Sequence, residues 1–352
     1  MKKVLITGSN GQVGSYMVDY LYENTDNTII AATRRTSQPI LNHLQKYQAD
    51  DRVKFITLDL SDSCSIEKAI KEESPDYFIN FGASAFVPDS WNMPAYTIQV
   101  NTISVINILE AIRKFVPQCR FYNACSSEIF GEVLETPQKE TTRPNPRSIY
   151  GVSKNAAREV VKVYRDSYDL YAVSGILFNH ESPRRQEHYV TRKITKNVAR
   201  IAKSIEKNEE FKPLQLGNLD AERDWSDARD FVDGVWKMLH QDDTIKDYVL
   251  SSNETHCIRE FVEVAFANAG IPKNKCFWAG KGVKEKYYLY TEKGVIIDKL
   301  PLVEINPEFY RPAEVELLLG DSSEARKELK WNPKIDFYNL VEEMVNSDIT
   351  SF

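Results

Sequence analysis

An α/β fold built on a doubly wound parallel sheet is what this chain of 352 residues predicts. Three observations point to it. Short apolar runs alternate with helical stretches through the first half, a glycine-rich turn follows the first run and opens the first helix, and beyond Asn179 the pattern loosens into charged, proline-bearing sequence. Strand–helix alternation covers a parallel sheet with helices on both faces. The looser half reads as a smaller mixed α/β C-terminal lobe built onto the first.

The elements follow in order. Val4–Thr7 is a short apolar strand, and the helix Gln12–Glu23 comes after the glycine turn. Thr28–Thr33, Val53–Leu58, Tyr77–Phe81 and Cys119–Ala124 read as further buried strands. Helical stretches separate them, among them Ser63–Glu73 and the long Tyr96–Phe115. A helix from Tyr150 to about Tyr168 precedes the apolar run Leu170–Phe178. Beyond it, helices are expected near Val190–Lys207, Asp227–Leu239, Ile258–Ala269, Ser322–Leu329 and Phe337–Asn346. The expected division is 1–178, with a return near 225–255, against 179–224 plus 256–352. No internal repeat or low-complexity linker interrupts it.

Composition narrows the function classes. With 42% hydrophobic residues the chain can bury a sizeable core. A net charge of −6 argues against bulk attraction to nucleic acid or an anionic membrane. Cys64, Cys119, Cys125, Cys257 and Cys276 are scattered, without a CxxC pair. They read as reduced thiols of a cytoplasmic protein, with no disulfide frame and no metal site. The opening apolar run meets Gly8 too soon for a signal peptide, and no apolar run approaches membrane-spanning length.

Gly8-Ser-Asn10-Gly11-Gln12-Val13-Gly14 has GxxGxxG spacing between a strand and a helix. Glycines there permit a tight turn and let helix-terminal amides approach a pyrophosphate. A bare turn is the plainer reading, but the flanking strand and helix favour dinucleotide binding. Arg34 and Arg35 end the second strand, where an NAD enzyme usually offers an acid to the ribose. Two guanidiniums favour a 2′-phosphate, hence NADP, over a mere solvated charge pair. Asp59 suits an adenine edge or a helix cap equally.

Tyr150 and Lys154 stand at i and i+4, one face of a helix. An ammonium nearby stabilises a phenolate, so such a pair can exchange protons with a substrate hydroxyl. Tyr-x-x-x-Lys also occurs by chance on exposed helices. Here it opens the helix after the fifth strand, while Ser126-Ser127-Glu128 ends that strand, and strand carboxyl ends face the ligand crevice of a doubly wound sheet. Ser126 and Glu128 therefore read as catalytic, and Ser127 as either a cap or a site residue. A carboxylate beyond the Tyr–Lys pair suggests more than one proton transfer.

With these motifs the chain resembles the extended short-chain dehydrogenase/reductases, a Rossmann-type superfamily. Longer strings resemble the GDP-mannose 4,6-dehydratase family within it: Gly175 to Arg185, Val190 to Ile194, Leu216 to Trp225, and Tyr310 to Val315. The resemblance runs nearly end to end. It implies NADP-dependent dehydration of GDP-mannose, with Tyr150, Lys154, Ser126 and Glu128 catalytic. It further implies cofactor contacts from Leu60, Gly82, Ala83, Ser84, Tyr96, Lys154, His180 and Arg185, beside the glycine loop, the two arginines and Asp59. Sugar-nucleotide contacts would come from Ser84, Asn179, Val190, Lys193, Leu216, Gly217, Arg223, Arg311 and Glu314, and from the catalytic Ser126, Glu128 and Tyr150. Without these strings Arg311 reads as a surface ion pair and His180 as a buried structural histidine. The family's helices Tyr96–Phe115 and Tyr150–Tyr168 would pair across a homodimer, and Arg35 would reach a neighbouring cofactor in a homotetramer.

Departures from the family pattern are local. Val13 stands where aspartate is usual and Ser126 where threonine is usual. Gln186 and His188 replace a glycine and an asparagine, and Phe81-Gly-Ala-Ser84-Ala-Phe86 replaces an Ala-Gln-Ser-His run. They bear on substrate preference more than on reaction type. The competing readings are a reductase, epimerase or other dehydratase acting on a different nucleotide sugar, and an NADP-binding regulatory protein without turnover.

Overall fold

In the computed structural model, which describes residues 1–36, 41–241, 245–290, 300–309 and 317–352, the apolar runs of the first half become one parallel sheet. Its strands are β1 (Lys3–Thr7), β2 (Thr28–Thr33), β3 (Val53–Thr57), β4 (Tyr77–Asn80), β5 (Arg120–Ala124), β6 (Ala172–Leu177) and β7 (Tyr248–Leu250). The order is β7-β6-β5-β4-β1-β2-β3, with every neighbouring pair parallel. Successive residues alternate between faces. Val4, Ile6, Ile29 and Ala31 join one hydrophobic cluster, and Leu5, Ile30 and Ala32 the other. The expected doubly wound α/β sheet is present. The strand order reverses between β1 and β4, so the crevice at their carboxyl ends is the place for a ligand.

Two compact units divide the chain. The first comprises Met1–His180, Ala228–Asn253 and Leu319–Lys334; the second comprises Glu181–Asp227, Glu254–Leu318 and Ile335–Phe352. The sequence suggested one return to the first unit, and the structure has two. Leu319–Lys334 comes back because its groups are satisfied there. The Gln138 amide N–H donates to the Leu319 carbonyl at 2.8 Å, the Leu319 N–H donates to Gln138 Oε1 at 3.1 Å, and fully buried Trp331 donates to the Asp230 carbonyl at 2.8 Å.

The second unit packs the helices Val190–Glu206, Ile258–Asn268 and Phe337–Ile349 around Val198, Phe261, Phe266, Leu340 and Met344. A four-stranded sheet (Cys276–Ala279, Lys286–Leu289, Val303–Ile305, Leu214–Leu216) adjoins them, with its last pair parallel and the others antiparallel. Sequence reading found these helices but not the strands. Strands of three or four residues are too short for a period-two signal. Among the described residues, no helix is long and apolar enough to cross a membrane.

Candidate active site

At the end of β1 the chain turns through Gly8, whose φ of +66° lies in the left-handed region. The Gly11 N–H donates to the Gly8 carbonyl at 3.0 Å, closing the turn. A Cβ on Gly14 would overlap that same carbonyl, so only a glycine lets the helix Gln12–Asn24 start this close. Gly11 caps that helix without a side-chain bond, and its first turn carries no acidic residue. The result is a helix N-terminus whose backbone amides no side chain covers, and it fits a dinucleotide pyrophosphate. Val13, standing for the usual aspartate, packs against the core.

The neighbouring strand ends complete this side. Thr7 donates to Asn80 Oδ1 at 2.6 Å and accepts the Gly82 N–H at 3.1 Å; Asn80 in turn donates to Asn123 at 3.1 Å. A Cβ on Gly82 would lie 2.5 Å from Leu60 Cδ1. Asn101 grips Ser84 twice, accepting its N–H at 2.8 Å and donating to its carbonyl at 3.1 Å. Ala83 lies half-buried between these two held positions. Asn101 sits in a π-turn, Gln99–Ile103, that interrupts the single helix expected over Tyr96–Phe115.

Arg34 and Arg35 are exposed, and Arg34 donates to the Tyr96 hydroxyl at 3.1 Å. Asp59 accepts both the N–H and the hydroxyl of Ser61, which hold its carboxyl below the usual carboxylate range. The cap of the next helix is Asp62, bonded to the Cys64 N–H at 2.9 Å, so the capping alternative for Asp59 is not the one adopted. Gln12 donates to the His180 carbonyl at 2.9 Å. His180 itself donates from Nδ1 to the Phe178 carbonyl at 2.8 Å and stacks on Phe231.

Beyond β5 the chain makes a tight turn, Ser127–Ile129, capped by the Ser126 hydroxyl, which accepts the Glu128 N–H at 3.3 Å. Ser127 is buried beneath it. The chain then loops out and returns to the same turn. The Asn145 N–H donates to the Ile129 carbonyl at 2.9 Å, and the Glu132 N–H to the Asn145 carbonyl at 3.1 Å. Ser148 caps the helix Ile149–Tyr168 by accepting the Gly151 N–H at 3.0 Å. A Cβ on Gly151 would sit 2.6 Å from the Glu128 carbonyl oxygen, so glycine lets the turn that bears Tyr150 abut the turn that bears Glu128. Two turns about twenty residues apart thus become neighbours.

Tyr150 and Lys154 are both buried. Lys154 Nζ donates to the Ala124 carbonyl at 2.8 Å and lies 5.9 Å from the centre of the Tyr150 ring. Burial pushes its pKa down to about 8, and among the described residues no carboxylate offsets the loss of water. Burial likewise pushes the Cys125 thiol up to about 11, leaving it neutral beside the site. A buried phenol, an easily titrated amine, a half-buried carboxylate and a hydroxyl together form a set for sequential proton transfers.

The described binding candidates of the second unit lie on Glu181–Arg223. Val190 and Lys193 are in the first turn of the helix Val190–Glu206. Lys193 Nζ stands 3.6 Å over the Phe309 ring, and burial lowers its pKa. A Cβ on Gly217 would be 2.7 Å from the Phe309 carbonyl, and the Leu216 carbonyl accepts the Asn306 N–H at 2.8 Å. Arg223 is buried, on a strand paired with His256–Cys257 and Leu317–Leu318. Arg185 lies 3.1 Å from Glu181 and 3.4 Å over the Tyr189 ring. Asn179, in the first unit, keeps a buried Oδ1 with no partner among the described residues. Arg311 and Glu314 fall outside the described residues.

Across residues 5–344 the chain matches the model of the family described as GDP-mannose 4,6 dehydratase. The chain belongs to the GDP-mannose 4,6-dehydratase family. It is 42% identical over 362 residues to GDP-mannose 4,6-dehydratase of Vibrio cholerae, covering 99% of this chain and 94% of that one. Against GDP-mannose 4,6 dehydratase of Drosophila melanogaster the identity is 41% over 356 residues, covering 99% and 86%. Among solved structures it is similar to dTDP-glucose 4,6-dehydratase from Bacillus anthracis in complex with NAD, with a TM-score of 0.77, 20% identity, and 99% and 96% coverage. At that identity the likeness concerns the fold.

Sequence reasoning toward this family passed over three residues that build the site. Ser148, two residues before Tyr150, carries a helix N-cap signal that was available. Gly151 offers only its glycine identity. Nothing local marks Asn101, whose partners Ser84 and Ser153 are distant in sequence.

Proposed function

We propose that this protein dehydrates GDP-mannose to GDP-4-keto-6-deoxymannose with NADP as resident cofactor. The observation that carries the reading is the abutment of the Tyr150 and Glu128 turns at Gly151. A simple alcohol dehydrogenase needs the Tyr–Lys pair alone, whereas eliminating water needs a second acid/base beside it.

Tyr150 takes the proton of the sugar 4-hydroxyl, and the Lys154 ammonium stabilises the phenolate form. NADP held at the glycine loop would supply the hydride chemistry, oxidation at C4 and reduction at C6. The 4-ketone makes the C5 proton acidic, and Glu128 removes it. Glu128 then protonates the C6 hydroxyl, which leaves as water, while Ser126 hydrogen-bonds the sugar. Reprotonation at C5 completes a reaction with no net oxidation. Cofactor and intermediate must be retained together through it.

The glycine loop from Gly8 to Gly14, Arg34, Arg35, Asp59, Leu60, Gly82 to Ser84, Tyr96, Lys154, His180 and Arg185 are the residues proposed to hold NADP. Asn179, Val190, Lys193, Leu216, Gly217, Arg223, Arg311 and Glu314 are those proposed for GDP-mannose, with Ser84 near the sugar. We place the protein in the cytoplasm, where its five free thiols would stay reduced. A homodimer is proposed through the exposed apolar residues Ile103, Val152, Val163 and Tyr168. Sedimentation as a monomer at every concentration would defeat it.

The direct test incubates purified protein with GDP-mannose and no added reductant. A 4-keto-6-deoxy product is expected. Turnover only with added NADPH and a keto-sugar would make the protein a reductase, and tight NADP binding without any turnover would make it a regulator.

A further inference from the structure

The loop that opens the second unit encloses a carboxylate for which the reaction has no use. Glu181 is 2% exposed. Burial raises its pKa, while Arg185 and the Thr191 hydroxyl pull it back toward the charged form. Thr191 donates to Glu181 Oε2 at 2.7 Å, and Arg185 Nε pairs with the same oxygen at 3.1 Å as an ion pair, without the alignment of a hydrogen bond. Tyr189 covers one face of the guanidinium at 3.4 Å. Among the described residues, neither Nη group of Arg185 makes a hydrogen bond.

We propose that Glu181 is a positioning residue that presents the Nη edge of Arg185 to a phosphate of the bound nucleotide. The inference rests on the reading of Arg185 as a cofactor contact. A guanidinium grips phosphate through two parallel N–H groups, which requires the plane and roll of the fork to be set beforehand. Glu181 pairs electrostatically with the Nε edge and Tyr189 covers the face, leaving the outer edge for the ligand. Thr191 fixes Glu181 from the other side and belongs to the helix that carries Lys193. Stability alone is a weak reason for the arrangement, because a buried ion pair costs about as much in lost hydration as it returns. Orientation of Arg185 is the stronger reason.

The test is a double-mutant cycle on the full-length protein, read by calorimetric titration of NADP and by kcat and KM for GDP-mannose. Glu181→Gln keeps the shape and should weaken NADP binding by about tenfold, the loss of one charge-assisted contact. At saturating NADP, kcat should stay within about twofold, because no proton transfer involves Glu181. In an Arg185→Ala background, Glu181→Gln should cost nothing further. An equal loss in both backgrounds, or unchanged NADP affinity in the single variant, would overturn the proposal. If Glu181→Gln does not fold, Thr191→Val serves as the milder variant: a several-fold weakening supports the proposal and no change overturns it. Arg185→Ala with unaltered NADP affinity and a raised KM for GDP-mannose would sink the cofactor reading of Arg185. The cycle, read on KM, would then still decide the role of Glu181.

Discussion

Lys154 and Lys193 are both short of water, yet the two units treat them differently. In the first unit Lys154 is wholly enclosed, with a backbone carbonyl as its hydrogen-bond acceptor, and its pKa falls to about 8. In the second unit Lys193 lies on an aromatic face and is only partly enclosed, so its pKa falls less. The neighbouring Arg185 has both a carboxylate and a ring. The contrast fits the proposed tasks. A group that tunes proton transfer gains from an environment that brings its pKa toward neutrality. A group that holds a phosphate must stay charged and aimed, which side-chain partners ensure.

If that contrast holds, damage in the first unit should fall on kcat and damage in the second on KM. The largest effect is expected from Glu128→Gln. It should lower kcat for dehydration by about 10²–10⁴ while NADP titration is unchanged. An unaltered rate would remove Glu128 from the proton transfers.

Lys154→Met should lower kcat on the order of a hundredfold and, in protein free of cofactor, raise stability at neutral pH. The native lysine titrates near 8 when folded and at 10.5 when unfolded, so the folded state binds fewer protons between those values. Burying the charge therefore costs on the order of 3 kcal/mol below pH 8, less whatever the Ala124 hydrogen bond returns. That cost fades as pH rises from about 8 toward 10.5. Denaturant unfolding should show the variant's advantage shrinking across that window. A constant gap would mean that burial does not lower the folded pKa of Lys154.

The smallest effect belongs to Phe309→Leu, which removes the ring beneath Lys193. A cation–π contact of about 1 kcal/mol corresponds to a several-fold rise in KM for GDP-mannose with kcat unchanged. A fall in kcat with KM constant would erase the distinction between the two units.

Much of the first unit is legible in the amino-acid sequence. Strand–helix alternation, the glycine spacing and the i, i+4 placement of Tyr150 and Lys154 are local, periodic signals, and the sheet carries them out nearly residue for residue. The second unit is legible mainly through its family strings. Its strands are short, and the pairing of Glu222–Arg223 with partners more than thirty positions away leaves no local trace. The same holds for the second return of the chain, which is held by Gln138 and Trp331.

By itself the sequence determined the fold class, the glycine loop and the four groups proposed as catalytic, because those depend on backbone propensity, periodicity and residue chemistry at short range. Only the tertiary structure decided that Gly151 brings the Tyr150 and Glu128 turns together, that Lys154 is dry, and that Glu181 stands behind Arg185. Those facts rest on burial and on contacts closed by packing, which exist only once the chain has folded.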